Sequence, residues 1–172
     1  MGALKEIQKV TLDSDTNSVS LTGIDSTYNV YMVTITNLKT ATDNKNCLFR
    51  VNKSGSADTN SEYDNTSKIL KSNTTYGDSG GENSTSATFA FSLGTGTGEA
   101  ANAMLYLFNF PNSEYSFVTA RSVFLDMTPN LIGFQGAIIH TAASASDGVT
   151  FLMESAADIK SGAKFALYGI SK

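Results

Sequence analysis

Gly77-Asp78-Ser79-Gly80-Gly81 sets a serine hydroxyl among glycines whose backbone amides can approach a developing oxyanion, the first arrangement here that could do chemistry. Such a serine needs a histidine to take its proton and a carboxylate to orient that histidine. The chain has one histidine, His140, in the apolar run Ile138-Ile139-His140-Thr141. Two other stretches offer oxygen ligands at alternate positions, as calcium loops do: Asp13-Ser14-Asp15-Thr16-Asn17 and Asp58-Thr59-Asn60-Ser61-Glu62-Tyr63-Asp64. In the first, Ser18 stands where the loop's sharp turn takes glycine, and Ile24 where a bidentate Glu is required. Zinc would need several Cys or His ligands, and Cys47 and His140 are the only ones.

The pentapeptide around Ser79 resembles the nucleophile motif of chymotrypsin-like serine proteases. In that family both triad partners precede the serine, whereas His140 follows it and the chain is too short for two barrels. Gly77–Gly81 therefore reads as a flexible turn, and His140 as a strand residue with a satisfied hydrogen bond. Gly94-Thr95-Gly96-Thr97-Gly98 follows a strand as a phosphate-binding turn would, but lacks dinucleotide or Walker spacing. A carboxylate pair for glycoside hydrolysis needs only a suitable separation. Phage depolymerases resemble long repetitive β-helices, however, and no internal repeat is present. The expectation is a protein with no catalytic, cofactor-binding or metal-binding residues, not an enzyme.

What must position any site is a set of short strands. Charged residues make up 16% of 172, Pro numbers 2, and Ser, Thr and Asn supply about a third, a balance of turn-rich all-β proteins. A net charge of −4 argues against nucleic acid, whose phosphates call for clustered Lys and Arg. No apolar window is long enough to cross a membrane, and residues 1–12 lack the basic-then-apolar order of a signal peptide. Cys47, in Cys47-Leu48-Phe49-Arg50-Val51, reads as a buried thiol.

Period-two alternation predicts ten strands: 4–12, 18–22, 29–36, 47–52, 87–93, 104–109, 115–125, 131–141, 149–154 and 164–170. Residues 155–160 are expected to form a turn of helix. The fold class that follows is all-β, an antiparallel β-sandwich of jelly-roll type in a single domain, 1–172. One long polar loop excursion, 53–86, interrupts it, with room for a short hairpin around Lys68-Ile69-Leu70.

Met104-Leu105-Tyr106-Leu107-Phe108-Asn109-Phe110 is apolar on both faces, and a strand covered on both sides needs a second partner. Tyr106, Phe108 and Phe110 are the oligomer-interface candidates, as one face of this strand. Leu4, Lys5, Ile7 and Lys9 combine apolar and charged side chains as candidates for contact with a larger assembly.

The closing stretch Ser161-Gly162-Ala163-Lys164-Phe165-Ala166-Leu167-Tyr168-Gly169-Ile170, with Ile132-Gly133-Phe134-Gln135-Gly136-Ala137-Ile138-Ile139, resembles small β-sandwich virion proteins of tailed bacteriophages. That resemblance implies a structural protein of the virion, made in the bacterial host's cytoplasm. Its first form is a head decoration (cement) protein, a homotrimer bound to the major capsid protein or another virion protein. Its alternative form is a tail-fibre tip or receptor-binding module recognising a host surface glycan.

Overall fold

The structure is a computed structural model that describes residues 3–171. It contains β1 (Leu4–Thr11), β2 (Ser18–Thr22), β3 (Val30–Leu38), β4 (Lys45–Lys53), β5 (Ser56–Ala57), β6 (Tyr63–Lys71) and β7 (Tyr76–Ser84). There follow β8 (Ala87–Leu93), β9 (Ala101–Phe108), β10 (Ser116–Leu125), β11 (Leu131–His140), β12 (Gly148–Met153) and β13 (Lys164–Ile170). Of residues 155–160, expected to form a turn of helix, only Ser155 and Ala156 fall in a 3-10 turn, Glu154–Ala156, and both take left-handed φ, 57° and 53°.

All pairings are antiparallel, and they form two sheets. The larger runs β1-β13-β3-β9-β10-β11-β6-β7; the smaller runs β2-β12-β4-β5, with β8 also on β4. The fold is thus the all-β antiparallel β-sandwich expected from the alternation.

Alternation decides which side chains meet between the sheets. Along β10, Ser116, Val118, Ala120, Ser122 and Phe124 point inward and Phe117, Thr119, Arg121 and Val123 outward. From the smaller sheet, Phe151 packs on Phe49 and Phe89, with ring centroids 5.8 and 5.7 Å apart, and reaches Phe165 of the larger sheet at 5.6 Å. Ser122 Oγ donates to the Phe89 carbonyl at 2.6 Å, a polar tie across the same gap. Cys47 is fully buried, and burial pushes its thiol far above the ordinary range.

The polar excursion is where the structure departs from expectation. Residues 63–84 are not a loop but a hairpin of two nine-residue strands that extends the larger sheet. The hairpin expected around Lys68–Leu70 is there, and longer. β11 templates it: Tyr63 to Lys71 pair with His140 to Ile132, residue for residue. Gly77–Gly81 accordingly lies within a strand, opposite Ile69 to Asn65, rather than in a flexible turn.

Candidate functional site

Ser79 and His140 are not brought together. Ser79 pairs with Ser67, which pairs with Gly136, four residues along β11 from His140. Two strand spacings and four residue rises put them about 16 Å apart, against the ~3 Å a proton relay requires. Asp78 is paired with Lys68 at 2.9 Å. The glycine-rich turn after β8 is also satisfied internally: Glu99 Oε2 accepts the Gly96 N–H at 2.6 Å, where a phosphate oxygen would sit.

His140 instead joins a buried polar cluster. Its Nε2 lies 3.1 Å from Asp58 Oδ2 and 3.5 Å from Glu62 Oε2. Asp58 Oδ2 is also ion-paired with Lys53 Nζ, which reaches Glu62 Oε2 at 3.4 Å. Asp58 Oδ1 accepts the Asn60 N–H at 3.0 Å. The Tyr63 hydroxyl donates to the Asp58 carbonyl at 2.9 Å and accepts the Val51 N–H at 3.0 Å. Its ring packs on His140, centroids 4.9 Å apart.

Burial would raise the Asp58 carboxyl, but the Lys53 ammonium and the Asn60 amide outweigh it and hold it well below the usual carboxylate range. The same hydrogen bond to Asp58 raises Lys53. Burial lowers His140, against the pull of Asp58, so the imidazole is neutral, Nε2–H donates to Asp58, and Nδ1 has no partner among the described residues. Burial also raises the Tyr63 hydroxyl.

Ligand atoms of Asp58, Glu62 and His140 lie within 4.8 Å of one another, as a metal centre would need. Lys53 Nζ already sits between the two carboxylates and offsets one of their two charges, so a divalent cation would have to displace it. The cluster ties the base of the β6–β7 hairpin to β4 and to the end of β11. Sequence reasoning marked Asp58–Asp64 for its oxygens but not its partners: Lys53 is near in the chain, but His140 is 82 residues from Asp58 and only the fold brings it in.

The other concentration of unexplained side chains is the outer face of the larger sheet. Cross-strand register aligns Leu4, Ile170, Val30, Phe108, Phe117 and Ile139 in one row, ending at Asp64. Six strand steps span about 29 Å along the sheet. The next rows add Met32, Tyr106 and Tyr168, then Met104, which is flanked by Arg121. Leu4, Phe108 and Phe117 are 55%, 37% and 45% exposed.

Two expected groups therefore meet on one surface: Tyr106 and Phe108 of β9, and Leu4 and Lys9 of β1. Ile7 departs from this: alternation puts it on the face opposite that of Leu4, against the core beside Gly23, and the bulge between Glu6 and Gln8 is what returns Lys9 to the face of Leu4. Lys5 is exposed at the β1 edge, opposite Gly169. Phe110 is a correction. β9 ends at Phe108, Asn109 takes a left-handed φ of 65°, and Phe110 drops fully into the core, where no partner can touch it. Phe117, Val30 and Ile139, which complete the row, were legible as strand residues but not as neighbours of Phe108.

The chain matches no family profile and no curated protein. Among solved structures it is similar to the enzymatically active domain of bacteriophage CBA120 tailspike protein 2, with TM-score 0.36 and 8% identity over 100% of this chain and 29% of that one. It is similar to a fructofuranosidase from Schwanniomyces occidentalis, with TM-score 0.27 and 6% identity over 99% of this chain and 34% of that one. For Scytalido-glutamic peptidase the TM-score is 0.28 and the identity 11%, over 92% of this chain and 66% of that one. Likenesses at this level decide neither fold nor activity.

Proposed function

We propose that this chain is a virion structural protein, a head decoration protein that assembles as a homotrimer and binds the major capsid protein. The observation that carries the reading is the apolar row across the outer face of the larger sheet. Monomers seldom expose contiguous apolar surface of this kind, whereas subunits that assemble do. The phage-like closing strand supplies the setting. In this reading Phe108 and Phe117 meet a neighbouring copy, while the β1 edge, with Leu4, Lys5 and Lys9, faces the capsid. β7 forms the opposite edge of the sheet, so the polar hairpin points away from the particle.

Copy number in purified particles and a paired substitution test this together. Hundreds of copies per particle are expected, and Phe108→Asp with Phe117→Asp should yield a folded monomer that no longer decorates. A few copies in multiples of three, or full decoration by the double variant, would overturn the proposal.

A further inference from the structure

On the inner side of the β6–β7 hairpin, facing β8 and the start of β4, lies a cleft of about 380 Å³. Small-molecule sites occupy ~300–1,000 Å³. Its walls carry no Asp, Glu, Lys, Arg or His, although 16% of the chain is charged. They carry instead amide and hydroxyl side chains, among them Asn65 and Ser67 of β6, Ser79 of β7 and Thr88 of β8. Ser67 Oγ donates to the Ser79 carbonyl at 3.3 Å. The side chains of Asn65, Ser79 and Thr88 make no hydrogen bond to another protein group among the described residues, and so remain free for a ligand. At one end of the cleft the half-buried Phe91 and the buried Phe134 supply aromatic surface.

These positions face the interior, where a sandwich places apolar side chains. On β6 the inward residues run Tyr63, Asn65, Ser67, Ile69: the ends are buried and apolar, the middle polar. A polar pair flanked by core residues lines a wet cleft and fills no core. We propose that this cleft binds a neutral saccharide segment, its hydroxyls taken by Asn65, Ser79 and Thr88 and its C–H surface by the phenylalanines. Uncharged walls offer nothing to balance a carboxylate or phosphate, which sets the ligand class. The inference stands apart from the decoration reading, since it uses the other face of the sheet.

The test is a titration of the ¹⁵N-labelled full chain with cello-, chito- and maltotetraose and with sialyllactose, followed by amide chemical shifts. At least one neutral tetrasaccharide should move the amides of Asn65, Ser67, Ser79 and Thr88 saturably, with Kd below about 10 mM. Asn65→Ala should weaken it about fivefold, one hydrogen bond's worth. Thr88→Phe, which fills the cleft, should abolish it while the β2 and β12 amides keep their dispersion; if that variant does not fold, Asn65→Ala decides alone. No saturable shift with any neutral tetrasaccharide, tighter binding of sialyllactose, or binding indifferent to Asn65→Ala would overturn the proposal.

Discussion

Asp58→Asn keeps the shape of a buried side chain and removes its charge, which isolates what the carboxylate does in the cluster. In the native protein it accepts from Lys53, from His140 and from the Asn60 amide. The amide leaves Lys53 with Glu62 alone, at 3.4 Å. Breaking a buried pair from one side costs about 3–5 kcal/mol, because the other charge stays behind. Here the Lys53 side chain is 27% exposed and regains part of its hydration, so about 2–3 kcal/mol is the better figure. For a chain of this size that corresponds to a fall in Tm of roughly 4–12 °C. Thermal unfolding by circular dichroism at neutral pH measures it, with urea titration as a second readout. Lys53→Met should also destabilise, and the double variant should cost less than the sum of the two by about 1–2 kcal/mol. A single-variant loss below about 1 kcal/mol, or strict additivity, would refute the view that Lys53 holds the Asp58 carboxylate and would reopen the site to a metal ion.

His140 has its folded pKa lowered by burial, so the unfolded chain takes up a proton that the native state refuses. Its contribution is complete above the unfolded value of about 6.5 and is lost as pH falls through the folded value. Wild-type Tm should therefore drop between neutrality and mild acid and His140→Gln should flatten that slope; a wild-type Tm indifferent to pH there would contradict the assignment. Asp58, also lowered, should add its own loss only below the ordinary carboxylate range. Gly169→Ala puts a methyl group into the Tyr28 ring and should cost about 1–3 kcal/mol, with Tyr28→Ala restoring part of it; an unchanged Tm would mean the ring moves freely. Inserting Gly-Ser-Gly between Asn73 and Thr74, at the hairpin tip, should cost about 0.6 kcal/mol or less, whereas replacing residues 53–86 by a linker should unfold the protein. A folded linker variant would show that β11 needs neither β6 nor the Asp58 cluster.

Ten strands were legible because their burial alternates: Val19 and Leu21 in β2, Phe89 in β8 and Phe165 and Leu167 in β13 are apolar at the inward positions the period marks. Their ends were blurred where apolar residues run past a strand, as at Phe110, which lies beyond the left-handed Asn109. The outer-face row was half legible. Alternation in β9 and β10 exposes Phe108 and Phe117, but only register makes them neighbours, and register depends on contacts far apart in the chain. The Asp58 cluster was illegible for the same reason: Lys53 and Asp58 are close in sequence, yet His140 arrives from β11.

The full length of the β6–β7 hairpin, expected only as a short turn-back around Lys68–Leu70, was illegible on different grounds, and these bear on what the polar sequence means. β propensity is largely a measure of fit to a half-buried pleated surface, so a strand that buries little carries little signal. The two sheets are unequal: eight strands face four full ones and the two-residue β5. An excess of about three strand widths, some 14 Å, lacks a full covering layer. Cover on the inner face stops short of its middle, so between the buried Tyr63 and Ile69 the hairpin carries Asn65, Ser67, Ser79 and Gly81 on the inside, with Lys68 and Asp78 on the outside. Polarity in residues 53–86 thus records missing cover rather than missing structure. The backbone is fixed by pairing with β11 and by the Asp58 cluster at its root, while its side chains are left free to meet something other than the core.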